Sequence, residues 1–157
     1  MGMEHEVSRT VEWSASLPGE RRSAFAVSSR LTGQLTWTRP DEGWVKVNVD
    51  GAFIEDRAAG FLVELTAVAT AVELVMGLDL PHVVVESDSM EVVQGLTDPH
   101  APSHLYAEII QGVIRSRDAH GSMRFQHVYR KGNALADYLA HVALASPPGV
   151  HQLEFPI

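Results

Sequence analysis

Two valine-rich runs, Trp44-Val45-Lys46-Val47-Asn48-Val49-Asp50 and His82-Val83-Val84-Val85-Glu86-Ser87-Asp88, each end in an aspartate, and a helical-period segment lies between them. In the first run Val45, Val47 and Val49 alternate with Lys46, Asn48 and Asp50, the period of two that marks a strand. The second follows Pro81 and is almost unbroken in its apolar residues, which suits a central strand buried on both faces. Between them, from Val63 to Gly77, the residues Leu65, Val68, Ala69, Val72, Val75 and Met76 recur at helical spacing. Gly77 supplies a stop. Strand, helix, strand in this order favours parallel neighbours joined by a crossover. Their carboxyl ends then lie side by side, where open α/β sheets bind ligands.

The remainder continues the alternation. A short helix is expected at Ser89–Leu96, a break at Thr97-Asp98-Pro99-His100-Ala101-Pro102, and a longer helix from about His104 to Arg115. Ser122–Tyr129 alternates as a strand, Arg130-Lys131-Gly132-Asn133 turns the chain, and a last helix spans about Ala134 to Ala145, ended by Pro147-Pro148. The fold class is α/β, a largely parallel sheet with helices packed against it. Residues 1–36 lack a sustained period and read as a flexible leader, with a hairpin possible at 23–37. Residues 37–146 form the folded domain and 147–157 a loose tail.

The bulk numbers exclude several classes. The chain has 157 residues, 45% hydrophobic and 20% charged, enough for one domain with a core. With no cysteine, disulfides, thiolate metal sites and a Cys nucleophile are out. The apolar stretches fall short of the roughly 20 residues that span a bilayer. The amino terminus lacks the basic and apolar regions of a secretory signal, and Glu6 breaks the myristoylation pattern. An intracellular protein of cytoplasm or nucleus is expected, neither secreted nor membrane-bound. A net charge of −8 argues against indiscriminate nucleic-acid binding, which basic surfaces drive. Arg115, Arg117, Arg124, Arg130 and Lys131 gather in the second half, as a local basic face or as an ordinary solvated distribution.

Four acids sit where strands and helices could deliver carboxylates to one point: Asp50, Glu64, Asp88 and Asp137. Like charges raise each other's pKa, so such a group needs a counter-charge. A hard divalent cation with oxygen ligands, Mg²⁺ above all, supplies it. Each acid also has an ordinary reading. Asp50 before Gly51 fits a strand-end turn, and Asp88 with Glu91 fits a capping box. Glu64 in a first helical turn suits the helix dipole, and Asp137 could pair with His141 four residues on. Glu73 reads as a helix-face charge, and Glu86 as pointing away from the site.

Trp44–Phe53, Val85-Glu86-Ser87-Asp88-Ser89 and Val128–Ala140, which contains Arg130-Lys131-Gly132-Asn133-Ala134-Leu135-Ala136-Asp137, resemble the plant RNase H-like family. Such domains occur alone and at the end of non-LTR retroelement reverse transcriptases. The resemblance covers about residues 37–145. It implies an RNase H-like mixed sheet flanked by helices and a hydrolase, a metal-dependent endonuclease that cuts the RNA strand of RNA–DNA hybrids. Two Mg²⁺ ions, with Mn²⁺ an alternative, would be held by Asp50, Glu64, Asp88 and Asp137, Asp50 bridging both. For substrate contact the sequence offers Asn48, Ser87, Ser89, Arg130, Lys131 and Asn133 beside those acids, small polar residues that could read the 2′-hydroxyl. Ser and Asn there could equally cap helices and turns. The expected partner is nucleic acid, and the expected state a monomer.

The chain departs from the family pattern in two places. The family inserts two antiparallel strands between its first acid and the helical Glu, whereas here only Ile54–Val63 intervenes. Loss of those second and third strands would bare one flank of the first strand, where the leader hairpin could substitute. The loop before the last helix also lacks the mobile His of some relatives, and His127 lies earlier, on the strand. A catalytically inactive, truncated nucleic-acid-binding or interaction module is the alternative function. A phospho-receiver-like domain fits poorly, since it wants adjacent acids after its first strand and five regular βα units.

Overall fold

The computed structural model describes residues 9–14, 21–27, 37–38, 40–53, 60–98, 106–147 and 149–154. In chain order the elements are β1 (Arg9–Ser14), β2 (Arg21–Val27), β3 (Val45–Phe53), α1 (Gly60–Gly77), β4 (Val83–Ser87), α2 (Met90–Thr97), α3 (Ala107–His120), β5 (Met123–His127), a 3₁₀ turn (Arg130–Asn133), α4 (Ala134–Ala145) and β6 (Gly149–Glu154).

Both valine-rich runs are strands, and they are parallel neighbours. β3 pairs β4 with Val45 opposite Val83 and Val49 opposite Ser87. β5 adds in parallel on the far side, Ser87 opposite His127. Every residue of β4 is buried, as its apolar run requires. The main core lies on one face of this sheet, where Val47, Val49, Val83 and Val85 pack with Leu65, Val68, Val72 and Val75 of α1. Ile110 and Val113 of α3 join the same cluster. The opposite phase of β3 meets α4, where Ala52 packs with Leu139 and Ala140. Lys46, Asn48 and Asp50 share that phase with Ala52.

The fourth strand of the sheet is β2, antiparallel to β3 with Arg21 opposite Phe53 and Val27 opposite Val47. The sheet order β2-β3-β4-β5 is therefore mixed, with three parallel strands. The flank expected to be bare is occupied from the amino-terminal side, by one strand of the segment read as a hairpin. The other half of that hairpin falls outside the described residues. β1 pairs β6 in a separate two-stranded sheet. The flexible leader and loose tail thus contain strands at 9–14, 21–27 and 149–154. Local pattern points to β2 only as a hairpin arm and gives no sign of β1 and β6, because their pairing partners are remote in sequence.

Three smaller differences bear on the site. α1 starts at Gly60, so Glu64 is past the first turn, where the structure has no acidic residue. α1 also matches a membrane span in length and composition, with mean hydropathy 1.6, contrary to the expectation of only short apolar stretches. Its Val63, Leu65, Val68, Val72 and Val75 are spent on the core instead. α3 begins at Ala107 and runs to His120, with Gly121 as a left-handed cap at φ 79°.

Candidate metal centre

Asp50 lies inside β3, three residues before its end, so the strand-end turn reading falls away. Gly51 is not an exit but a point of close approach. A Cβ there would stand 2.5 Å from Val63 Cγ1 and 2.9 Å from the Val63 backbone. Only the missing side chain lets α1 come this near to β3, and Val63 carries Glu64 with it. Asp88 follows β4 directly. Its capping role is taken by Ser89, whose side chain accepts a hydrogen bond from Val92 N. The Asp88 carboxylate is thereby released from capping and faces the other acids and Arg130.

One oxygen from each of Asp50, Glu64 and Asp88 lies within 4.8 Å of the others. Asp137 stands outside that group. It sits in the first turn of α4, with one carboxylate oxygen 3.8 Å from His141 Nδ1. His141 Nδ1 also meets the Asp137 carbonyl oxygen at 2.7 Å. Asp137 is close enough for its charge to help raise Asp50.

The electrostatics are those of crowded acids. Burial, then the charge of Asp88, pushes the Asp50 carboxyl from its ordinary 3.8 up to about 7. Burial, then the charges of Asp50 and Asp88, drives Glu64 from 4.5 up to about 10. A hydrogen bond between the two favours the proton on Glu64, and the Gly51 N–H favours the ionised form of both. Glu64 Oε2 is buried with no hydrogen-bond partner among the described residues. A buried, orphaned carboxylate oxygen is costly unless something else meets it.

The residues expected to touch substrate divide in two. Asn48 and Asn133 are buried, and their amides are spent on partners inside the protein. Asn48 Oδ1 accepts from Trp37 Nε1 at 2.9 Å. Asn48 Nδ2 donates to Glu86 Oε2 at 3.0 Å and to Asn133 Oδ1 at 3.2 Å. Asn133 Nδ2 donates to Val49 O at 2.8 Å, which pins the start of α4 to the strand beside Asp50. Ser87 is buried too, its Oγ accepting from Ser89 N at 3.1 Å. These three polar side chains build the floor and the turn of the site, and Ser89 caps α2. Arg130 and Lys131 remain exposed, and Arg130 Nε lies 3.6 Å from Asp88 Oδ2.

Lys46, Trp37 and Thr38 carried no functional expectation, yet they complete the floor. Lys46 Nζ pairs with Glu86 Oε1 at 3.0 Å, both side chains buried. It also donates to Thr38 O at 2.6 Å and Thr38 Oγ1 at 3.2 Å, and lies over the Trp37 ring. The available signal was phase: a lysine in register with Asn48 and Asp50 on a strand with no solvated face. Glu86 is no part of the acid group, as expected, but it does not point away from the site: it shares the sheet face of Asn48 and Asp50, where it is the ion-pair partner of Lys46. The basic face does not assemble. Arg117 donates to Leu96 O at 3.0 Å. Arg124, at the opposite end of β5 from His127, pairs with Asp41 and lies over Trp44.

A mixed sheet with three parallel strands, helices on both faces and acids at adjoining carboxyl ends defines an RNase H-like domain. The family described as reverse transcriptase-like matches residues 23–143, and the chain belongs to it. An Arabidopsis thaliana protein provisionally named as a ribonuclease H protein is 28% identical over 155 aligned positions, 80% of this chain. The chain spans about a quarter of that relative's length, 24%. Among solved structures, RNase H1 from the archaeon Halobacterium salinarum superposes with TM-score 0.51 at 18% identity, covering 87% of this chain and 97% of that one. The amino-terminal RNase H domain of a Mycobacterium tuberculosis protein, solved as a fusion with maltose-binding protein, gives TM-score 0.55 at 19% identity, covering 89% and 95%. At those identities the structures establish the fold.

Proposed function

We propose that this chain is a metal-dependent endoribonuclease that hydrolyses the RNA strand of RNA–DNA hybrids using two Mg²⁺ ions, Mn²⁺ being able to replace them. The observation that carries the reading is the meeting of Asp50, Glu64 and Asp88 within 4.8 Å, with Glu64 Oε2 left orphaned. The donor set fits: three carboxylates are hard oxygen ligands of the kind Mg²⁺ takes. A divalent cation would also relieve the repulsion that raises Asp50 and Glu64. Asp50 would be shared between two sites, Glu64 and Asp88 completing one and Asp137 the other. When bound, such ions supply an activated water and stabilise the leaving oxygen.

The chain's own residues do the remaining work. β3 and β4 are paired as far as Val49 and Ser87, the residues just before Asp50 and Asp88, and Gly51 brings Glu64 to them. Asn133 ties the helix bearing Asp137 to Val49. Arg130 and Lys131 are exposed cations, Arg130 3.6 Å from Asp88, and they would meet phosphate. No side-chain nucleophile is needed, in keeping with a chain that lacks cysteine. We place the activity inside the cell, in cytoplasm or nucleus, in a monomer.

The test is cleavage of a labelled RNA–DNA hybrid. EDTA should stop it and Asp88→Asn should abolish it. Equal cutting by Asp88→Asn would refute the reading. A non-catalytic nucleic-acid-binding module is the second reading, motivated by the short link at 54–59 between β3 and α1. It predicts salt-sensitive hybrid binding with no turnover in the same assay.

A further inference from the structure

His127, left without a role by the sequence, braces an aromatic ring at the edge of the site. It meets Tyr129 edge-on, ring centroids 5.4 Å apart and planes at 82°. Tyr129 is nonetheless 82% exposed, the most exposed of the large hydrophobic side chains among the described residues. Its backbone is fixed on both sides. Val128 N donates to Ser87 O at 3.0 Å, one residue before Asp88, and Gly132 N donates to Tyr129 O at 2.8 Å. Arg130 and Lys131 follow at once, both exposed, with Arg130 3.6 Å from Asp88. A ring held out to solvent beside two cations at the rim of a carboxylate cluster has no packing reason to be there.

We propose that Tyr129 is a stacking contact for nucleic acid, receiving a base or sugar face of the strand whose phosphates meet Arg130 and Lys131. The proposal rests on the ribonuclease reading, which brings such a strand to the acids. Charge complementarity selects the partner: aromatic faces flanked by cations suit a polyanion that carries flat rings. Bracing matters because a ring already fixed loses little freedom on binding. Tyr129 touches substrate in this proposal, and His127 positions it.

The experiment measures binding by the full chain in the Asp88→Asn background, so that the probe stays intact. The probe is an RNA–DNA hybrid carrying 2-aminopurine near its centre, titrated in Mg²⁺ at several salt concentrations. Tyr129→Ala should weaken binding about tenfold or more, the scale of one lost base–aromatic stack. Tyr129→Phe, which keeps the ring, should stay within about twofold of the parent, by the same stacking argument. The salt slope should not change in Tyr129→Ala, while Lys131→Ala should reduce it by about 1. Because Tyr129 is exposed, an unchanged melting temperature checks that the variant is folded.

Equal affinity for the parent and Tyr129→Ala overturns the proposal. So does an equal loss in Tyr129→Ala and Tyr129→Phe, which would assign the effect to the hydroxyl, and so does absence of binding by the parent. Ring-dependent binding in a chain that never cuts would sink the nuclease reading alone. Cutting that depends on Asp88 with binding indifferent to Tyr129 would sink this proposal alone.

Discussion

Glu64→Gln should stabilise the metal-free protein at neutral pH, although it removes a residue from the candidate site. In the folded chain Glu64 keeps its proton to about pH 10, whereas unfolded it lets go near 4.5. Below 4.5 both states hold the proton and nothing is lost. Above it the folded state binds one proton more than the unfolded state, so stability falls as pH rises. The fall is about 1.4 kcal/mol per pH unit for each such proton. Between about pH 5.5 and 7 it amounts to roughly 2 kcal/mol from Glu64 alone. Asp50 is raised as well, but the two share a hydrogen bond and a site, so the contributions do not simply add. For a chain of this length, 2 kcal/mol corresponds to about 4–8 °C in melting temperature. Gln keeps an N–H to donate to Asp50 and does not titrate. Melting curves in EDTA at the two pH values should therefore show the variant gaining about 4–8 °C on the parent as pH rises. Excess Mg²⁺ should close the gap by stabilising the parent at pH 7. A difference between parent and variant that is the same at both pH values would refute the reasoning, because it would mean Glu64 is not held protonated by its surroundings.

Two further perturbations probe the supports of the site. Lys46→Met leaves the Glu86 carboxylate buried without its cation and should cost about 3–5 kcal/mol in urea unfolding. The double variant Lys46→Met/Glu86→Leu should cost less than Lys46→Met alone, and a double variant worse than the single would contradict the ion-pair account. Gly51→Ala forces a methyl to 2.9 Å from Val63 backbone atoms that cannot swing aside. It should lower stability by about 1–3 kcal/mol and weaken Mg²⁺ binding in calorimetry by moving Glu64 away from Asp50. Unchanged metal affinity would show that the close approach of α1 to β3 does not set the site.

Where a residue's environment is made by its neighbours in sequence, the sequence sufficed. The three parallel strands and α1 follow from alternation and helical period, because the faces they bury are continuous. The apolar pattern ends α3 near Arg115 because Arg117, Asp118 and His120 break it, whereas the helix runs to His120. The usable signal was Gly121, whose φ of 79° ends the helix. β2 could be suspected only as a hairpin arm. What decides its place is the free edge of β3, a property of the assembled sheet. Asp88 as cap or ligand was undecidable locally, since both roles put a carboxylate at the same turn, and Ser89 resolves it by taking the cap.

The harder failure concerns Asn48 and Asp50, which have the same strand phase and lie about 7 Å apart along it. Pattern gives them one address, Asp50 as a metal ligand and Asn48 as a substrate contact. In the fold Asn48 is roofed by Trp37 and Asn133, so every polar atom of its amide is used inside the protein. Asp50 is just as buried but meets other carboxylates. Its strongest interactions are therefore repulsive, and they are relieved only by protons or a cation. Unrelieved repulsion next to a fully satisfied polar floor separates a binding group from a supporting one. It depends on which groups the fold brings against each position of the sheet face, which no spacing of residues along a chain encodes.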